Sequence, residues 1–172
     1  MVSTFAKGEI ISKKFVVVAN TPGYYRCWFP ELIANIILAQ FKTNGNYKGK
    51  LQTKTINGKV YICLYIGSAK DLNSRIYTHL HGVFGDSTLR KTLWAILASN
   101  EIERGAEYMV NQVLDNCYFE WVYTDSEQQA VDCEKSELSQ STYCYPLNIQ
   151  NNTTMPKEWI NELKEMRNHI HE

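Results

Sequence analysis

The pattern of hydrophobic and polar positions in the first part of the chain predicts two strands followed by a helix. The apolar run 15–19 predicts a strand, residues 21–23 are typical of a turn, and 24–29 form a second, aromatic-rich strand. Leu32, Ile33, Ile36, Ile37 and Phe41 then recur at helical spacing. This pattern predicts an amphipathic helix over 31–41, opened by Pro30.

A hairpin and two capped helices are predicted for the middle of the chain. Residues 51–56 and 59–66 flank Asn57-Gly58, a dipeptide that readily adopts the positive φ angles of a tight type I′ turn. After Gly67 the apolar positions take on a helical period. Asp71 and Ser87 are each placed to cap a helix.

The last third continues the alternation of helices and strands. A helix is predicted over 106–114, a strand over 117–123, and a helix from a capping-box-like start at Asp125 to about Gln140. Residues 146–148 are expected to end the compact part, and Pro156 to start a C-terminal helix over about 156–171. The expected fold is α/β, with a small central mixed or antiparallel sheet flanked by helices.

Composition favours one ordinary globular domain over residues 1–172, since 44% of the residues are hydrophobic. The five cysteines form no C-x-x-C pair, which is typical of reduced core thiols. No apolar run is long enough to span a bilayer, and the first residues do not form a signal peptide. We therefore expect a soluble, cytoplasmic protein with no membrane partner.

Charge is distributed unevenly although the net charge is zero. Residues 42–91 carry nine basic and two acidic side chains, whereas 101–137 carry ten acidic and two basic ones. A basic face opposite an acidic one can hold a polyanion without a high overall pI. The alternative is that both runs are ordinary solvated surface.

The residues with the clearest chemical potential form a series in fixed order. Gly23-Tyr24-Tyr25 comes first, Tyr65-Ile66-Gly67 leads on to Arg75 and His79, and a helix bearing Glu134 precedes Pro146-Leu147-Asn148. In order and in chemistry this series resembles the GIY-YIG nuclease superfamily, which includes homing and restriction-type endonucleases. The resemblance covers about residues 15–150, and the stretch 65–79 is its most specific part.

Cleavage of a phosphodiester requires a proton acceptor for water, cations near the phosphate and usually a divalent metal. Tyr25 is the expected general base, with the Tyr65 phenol beside it, and Lys70 and a metal are expected to favour a phenolate. Arg75 and His79 are four residues apart and share a helical face. Arg75 is expected to hold the scissile phosphate, and His79 to assist proton transfer or to position water.

The superfamily's metal ligand is a glutamate on a late helix. Glu134 matches it best and Glu137 is the rival. One carboxylate with several waters suits Mg²⁺, or Mn²⁺ in its place. Asn148 matches the superfamily's late asparagine, which orients the site or its backbone; the alternative is an ordinary turn residue.

The chain departs from the superfamily pattern in two places. Tyr24 stands where Ile or Val is usual, and a helix-strand segment of about residues 30–58 separates two motif strands that are normally joined by a short turn. Inserted surface segments often carry specificity. The basic residues of the insertion, and a later helix start with its free amides and two basic residues, are therefore expected to contact nucleic acid: Lys42, Lys48, Lys50 and Lys54, then Ser87, Arg90 and Lys91.

The resulting hypothesis is a metal-dependent endonuclease acting on DNA, of restriction or mobile-element type. The sequence does not distinguish DNA from RNA as substrate. One active site cuts one strand, so double-strand cleavage requires a homodimer or sequential nicking, and the sequence does not choose. The alternatives are a catalytically inactive nucleic-acid-binding module and a protein-interaction scaffold with the same fold.

Overall fold

The computed structural model describes residues 2–43, 47, 49–83, 85–98, 103–140 and 142–169. Within them, a six-stranded sheet in the order β1-β5-β2-β4-β3-β6 is flanked by helices. Neighbouring strands are antiparallel except β3 and β6, which are parallel. The elements are β1 (Thr4–Lys7), α1 (Gly8–Ser12), β2 (Gly23–Pro30), α2 (Glu31–Leu38), β3 (Lys50–Ile56), β4 (Lys59–Ala69), α3 (Leu72–His81), α4 (Thr88–Ala98), α5 (Glu103–Asn116), β5 (Tyr118–Tyr123), α6 (Glu127–Ser139), β6 (Tyr143–Cys144) and α7 (Lys157–Asn168).

The two motif strands β2 and β4 are hydrogen-bonded neighbours, with Tyr25 opposite Gly67 and Gly23 opposite Ala69. The expected α/β fold with a mixed central sheet is therefore confirmed. The inserted helix and strand are also present, as α2 and β3, and β3 forms a hairpin with β4 around Asn57 and Gly58. Both turn residues have positive φ, 50° and 74°, as a type I′ turn requires.

The helix starts follow their capping residues. Asp71 Oδ1 accepts from the Ser74 amide, and Ser87 Oγ accepts from the Arg90 amide. The start of α6 is one residue later than predicted, because Ser126, not Asp125, is the N-cap and accepts from the Gln129 amide.

The predicted strand over 15–19 is wrong. Residues 15–19 belong to no strand of the described sheet, and Phe15 and Val17 are 74% and 80% exposed. The strand at that end of the chain is β1, which pairs with β5 at the sheet edge. Neither β1 nor α1 is predictable from the sequence pattern, because a four-residue strand and a five-residue helix are too short for a periodic pattern.

The prediction that the compact part ends at residues 146–148 is wrong. Helix α7 buries Trp159 and Leu163 in the main core, and the Trp159 ring stacks on Phe41 with centroids 3.8 Å apart. The C-terminal helix therefore packs against the segment that follows α2. No helix within the described ranges is long and apolar enough to cross a membrane.

Candidate active site

A cleft of about 250 Å³ opens where β2 and β4 meet α3, α6 and α7. It gathers most of the residues that the motifs single out. Its lining comprises Tyr25, Tyr65, Gly67, Ser68, Arg75, Thr88, Glu134, Asn148, Ile149, Gln150 and Arg167.

Two phenols lie side by side at the floor of this cleft. The Tyr25 and Tyr65 rings are 6.3 Å apart between centroids and tilted by 42°. Gly67 makes this arrangement possible, because a Cβ atom at that position would lie 2.5 Å from the Tyr25 hydroxyl. Burial raises the pKa of Tyr25 well above its ordinary value and that of Tyr65 to about 12, while Arg75 acts in the opposite direction on both.

His79 lies behind Tyr25 and is 1% exposed. Its Nε2 is 2.5 Å from the Tyr25 hydroxyl, and its Nδ1 is 2.9 Å from Ser87 Oγ. Burial, with Arg75 and Arg90 nearby, lowers the pKa of His79 to about 3. The imidazole is therefore neutral at physiological pH and contacts the reaction centre through Tyr25.

Arg75 and Glu134 supply the opposite charges of the cleft. Arg75 is exposed on α3, and within the described residues its guanidinium is neither hydrogen-bonded nor ion-paired. Glu134 Oε2 accepts a hydrogen bond from Ser68 Oγ. Burial raises the pKa of Glu134, while Ser68 and Arg75 lower it.

Asn148 holds the backbone of the second motif. Its Oδ1 accepts from the Ile66 amide at 3.0 Å, and its Nδ2 donates to the Ile66 carbonyl at 2.7 Å. The pairing of β3 with β4 ends at Cys63, so Asn148 replaces a missing strand beside Ile66. The Asn148 side chain thus fixes the backbone at Ile66.

A model of the GIY-YIG catalytic domain family matches residues 23–169. The chain belongs to this family. The GIY-YIG motif strands are β2 and β4, and the match extends through α7. Comparisons with curated proteins and with solved structures gave no match.

The structure separates the two candidate glutamates of this GIY-YIG domain. Glu137 accepts hydrogen bonds from Arg26 at 2.8 Å, from Gln140 at 2.7 Å and from the Tyr145 hydroxyl. It lies in a different groove, whereas Glu134 lies in the cleft with the phenols. The geometry therefore favours Glu134 over Glu137.

Three residues expected to act at the surface of the site are placed elsewhere. Arg90 is 1% exposed and donates to the His79 carbonyl and to Asn111, both at 2.8 Å. The prediction that Arg90 contacts a phosphate is therefore wrong. Ser87 is 2% exposed and serves as a cap and as the partner of His79. Lys70 is exposed just beyond β4 and does not line the cleft. Arg75 is the cation that opposes the rise in the pKa of both phenols.

The basic residues of the insertion that the structure describes do not line the cleft. Lys42 borders a separate groove that also contains Glu158, Glu162 and Glu165, which does not suit a polyanion. Lys54 is paired with Glu120 at 2.9 Å and lies over the Trp28 ring. Its charge is therefore already engaged within the protein, in contrast to the DNA contact expected of it.

Lys50 is exposed at the start of β3, and Lys91 is partly exposed on α4. Neither lines the cleft. Lys48 lies outside the described residues.

Four polar residues that line the cleft were not singled out in the sequence: Ser68, Thr88, Gln150 and Arg167. Ser68 directly follows the Tyr-Ile-Gly motif, so its place in the strand alternation was a usable signal. Arg167 lies on α7, far from every motif residue in sequence, and only the packing of α7 brings it to the cleft.

The donor set of the cleft fits one kind of metal. No three His, Cys, Asp or Glu side chains in the described part of the chain are grouped as metal ligands, and Glu134 is the carboxylate that lines the cleft. Mg²⁺ and Mn²⁺ accept one carboxylate with the remaining positions filled by waters and substrate phosphate. Because burial disfavours the charged form of Glu134, a divalent cation there would also offset that cost.

Proposed function

We propose that this protein is an endonuclease that hydrolyses phosphodiester bonds in DNA with the help of Mg²⁺ or Mn²⁺. The observation that carries the proposal is the convergence of Tyr25, Tyr65, Arg75 and Glu134 on one cleft. Two phenols, an unpaired guanidinium and one carboxylate correspond to a proton acceptor, a phosphate ligand and a metal ligand. A restriction or mobile-element enzyme is the setting that the family resemblance favours.

Tyr25 is the proton acceptor in this proposal. Because burial raises the pKa of its phenol, the positive charges of Arg75 and of a bound cation must offset that effect before Tyr25 can act as a base, and His79 then stabilises its phenolate. The Arg90 amide donates to Ser87 Oγ at 3.1 Å, which leaves the Ser87 proton free to be donated to Nδ1 of His79. Nε2 then carries the imidazole proton and donates it to the Tyr25 oxygen. A neutral donor is the role that fits a pKa of about 3, since the imidazole resists accepting a second proton.

Arg75 binds the scissile phosphate, since its guanidinium fork matches two phosphate oxygens. Glu134 holds the divalent cation, and Ser68 orients the carboxylate. Bound there, the cation supplies positive charge for the leaving oxygen. The single active centre nicks one strand, and a homodimer or a second nicking event would complete a double-strand break.

Incubation of supercoiled plasmid with the protein tests this function. We expect nicking or linearisation with Mg²⁺ or Mn²⁺ and none with EDTA. Glu134→Gln and Arg75→Ala should each lower the rate by roughly 100-fold or more, since each removes a group that stabilises charge in the transition state. Labelled RNA of the same sequence, run in parallel, decides the substrate class.

The matched controls are Asp132→Asn and Lys70→Ala. Asp132 is exposed on α6 and Lys70 is exposed beside α3, and neither lines the cleft. Both variants should cleave within about threefold of the unmodified protein. Cleavage that survives Glu134→Gln and Arg75→Ala would contradict the site. DNA binding by the unmodified protein without cleavage would support a catalytically inactive module. The absence of both binding and cleavage would support a protein-interaction scaffold.

A further inference from the structure

The four arginines with described side chains fall into two groups. Arg26 is ion-paired with Glu137, and Arg90 donates to the His79 carbonyl and to Asn111. Arg75 and Arg167 have no such hydrogen bond or ion pair among the described residues, and both line the active-site cleft. Both described arginines without partners therefore lie where a substrate phosphate would lie.

Arg167 occupies an unusual place on α7. The helix buries Ile160 and Leu163, and Arg167 follows them at the spacing of one helical face. Where this face continues, the helix carries a half-buried arginine in the cleft, at a position where the pattern alone would predict an apolar residue. A partly buried cation without an anionic partner is costly, and binding an anion there would recover that cost.

Arg167 and Arg75 lie at different parts of the cleft. The positive charge of Arg75 acts to lower the pKa of each titratable group of the reaction centre, so Arg75 is close to all of them: Tyr25, Tyr65, His79 and Glu134. Both Arg167 and Tyr65 line the cleft. Burial lowers the pKa of Arg167 and the Tyr65 phenol raises it, which agrees with a place for Arg167 beside Tyr65.

We infer that Arg167 binds a backbone phosphate next to the scissile one, on the Tyr65 side, and so sets substrate affinity and register. This inference rests on the proposed nuclease function. A contact made equally in the ground state and the transition state changes KM and leaves kcat almost unchanged. Arg75, by contrast, should affect kcat.

The test uses a duplex oligonucleotide that contains a cleavage position mapped with the unmodified protein. Arg167→Ala should raise KM about tenfold, with kcat within about threefold. DNA binding is measured with Ca²⁺ in place of Mg²⁺, which slows hydrolysis and keeps a divalent cation present. The slope of log binding constant against log salt concentration should be smaller in magnitude by about one for Arg167→Ala than for the unmodified protein. Arg167→Lys should recover part of the affinity, because it keeps the charge and loses the fork.

Lys164→Ala is the matched control, because Lys164 is exposed on the same helix and does not line the cleft. Its KM should stay within about twofold of the unmodified value. Equal thermal midpoints for all variants would show that α7 remains folded. If the unmodified protein cleaves DNA but Arg167→Ala behaves like Lys164→Ala, or lowers kcat at constant KM, the inference about Arg167 is wrong and the nuclease proposal stands. If neither the unmodified protein nor any variant cleaves DNA, both the nuclease proposal and the inference about Arg167 fail.

Discussion

At the scale of single residues, burial decides which polar side chains can act directly. His79 and Arg75 are four residues apart on α3, and the sequence predicts that both face the substrate. The structure places Arg75 in the cleft and His79 behind Tyr25, sealed by Ser87 and Arg90. His79 is thus a partner of the base and has no direct access to water or phosphate.

The low pKa of His79 makes folding pH-dependent. Its folded value is about 3 against an ordinary 6.5, so below pH 6.5 the unfolded chain binds a proton that the folded chain does not. This contribution is present above pH 6.5 and is lost as pH falls towards 3. Between pH 7 and 5 the free energy of unfolding should fall by about 2 kcal/mol more in the unmodified protein than in His79→Gln.

Urea unfolding at the two pH values measures this difference. His81→Gln, an exposed change on the same helix, should keep the pH dependence of the unmodified protein. A His79→Gln variant with an unchanged pH dependence would show that the folded imidazole protonates normally.

The cleft residues named by motif were predictable because each belongs to a short stretch of fixed spacing. Tyr25, Tyr65, Arg75, Glu134 and Asn148 all lie at the cleft. Arg90 was assigned to the surface because charge alone does not reveal that its side chain turns inward to the His79 carbonyl. Arg167 had no motif to mark it, since its place depends on how α7 packs.

At the scale of elements, the caps were easier to predict than the short strands. Asp71 and Ser87 satisfy local amide groups, so sequence neighbours suffice to identify them. The segment 15–19 has the composition of a strand but pairs with no strand among the described residues, and the edge beside β5 is occupied by β1. Strand pairing is non-local, and the sequence pattern does not contain it.

The cap of α4 has a second role that can be separated from helix stability. Ser87→Ala should cost about 1 kcal/mol of stability through the lost cap and lower kcat roughly tenfold, because Nδ1 of His79 loses the partner that fixes its tautomer. KM should not change, since Ser87 does not line the cleft.

Ser126→Ala is the matched control, because Ser126 caps α6 in the same way and has no contact with His79. It should lose similar stability with an unchanged kcat. Ser87→Thr, which keeps the hydroxyl, should restore part of the rate. Equal losses of kcat in Ser87→Ala and Ser126→Ala would mean that Ser87 acts only as a cap.

At the scale of the whole molecule, the C-terminal helix and the insertion depend on each other. Trp159 of α7 stacks on Phe41, and Glu162 accepts hydrogen bonds from the amides of Lys42 and Thr43 at 2.6 and 3.0 Å. Arg167 reaches the cleft from the same helix. The segment that departs most from the family pattern is therefore joined to the helix that completes the active-site cleft.

We propose on this basis that the chain unfolds as one unit, and Trp159→Ala tests it. The side chain is 1% exposed in the core, so its truncation should lower the free energy of unfolding by about 3–5 kcal/mol. Leu32→Ala, at a position 73% exposed on α2, should change it by about 0.5 kcal/mol or less. Because α7 is part of the common core, circular dichroism and tryptophan fluorescence should report one coincident transition for Trp159→Ala. An early transition confined to part of the helical signal, with the remaining structure as stable as before, would instead make α7 a separate unit docked on an independent domain.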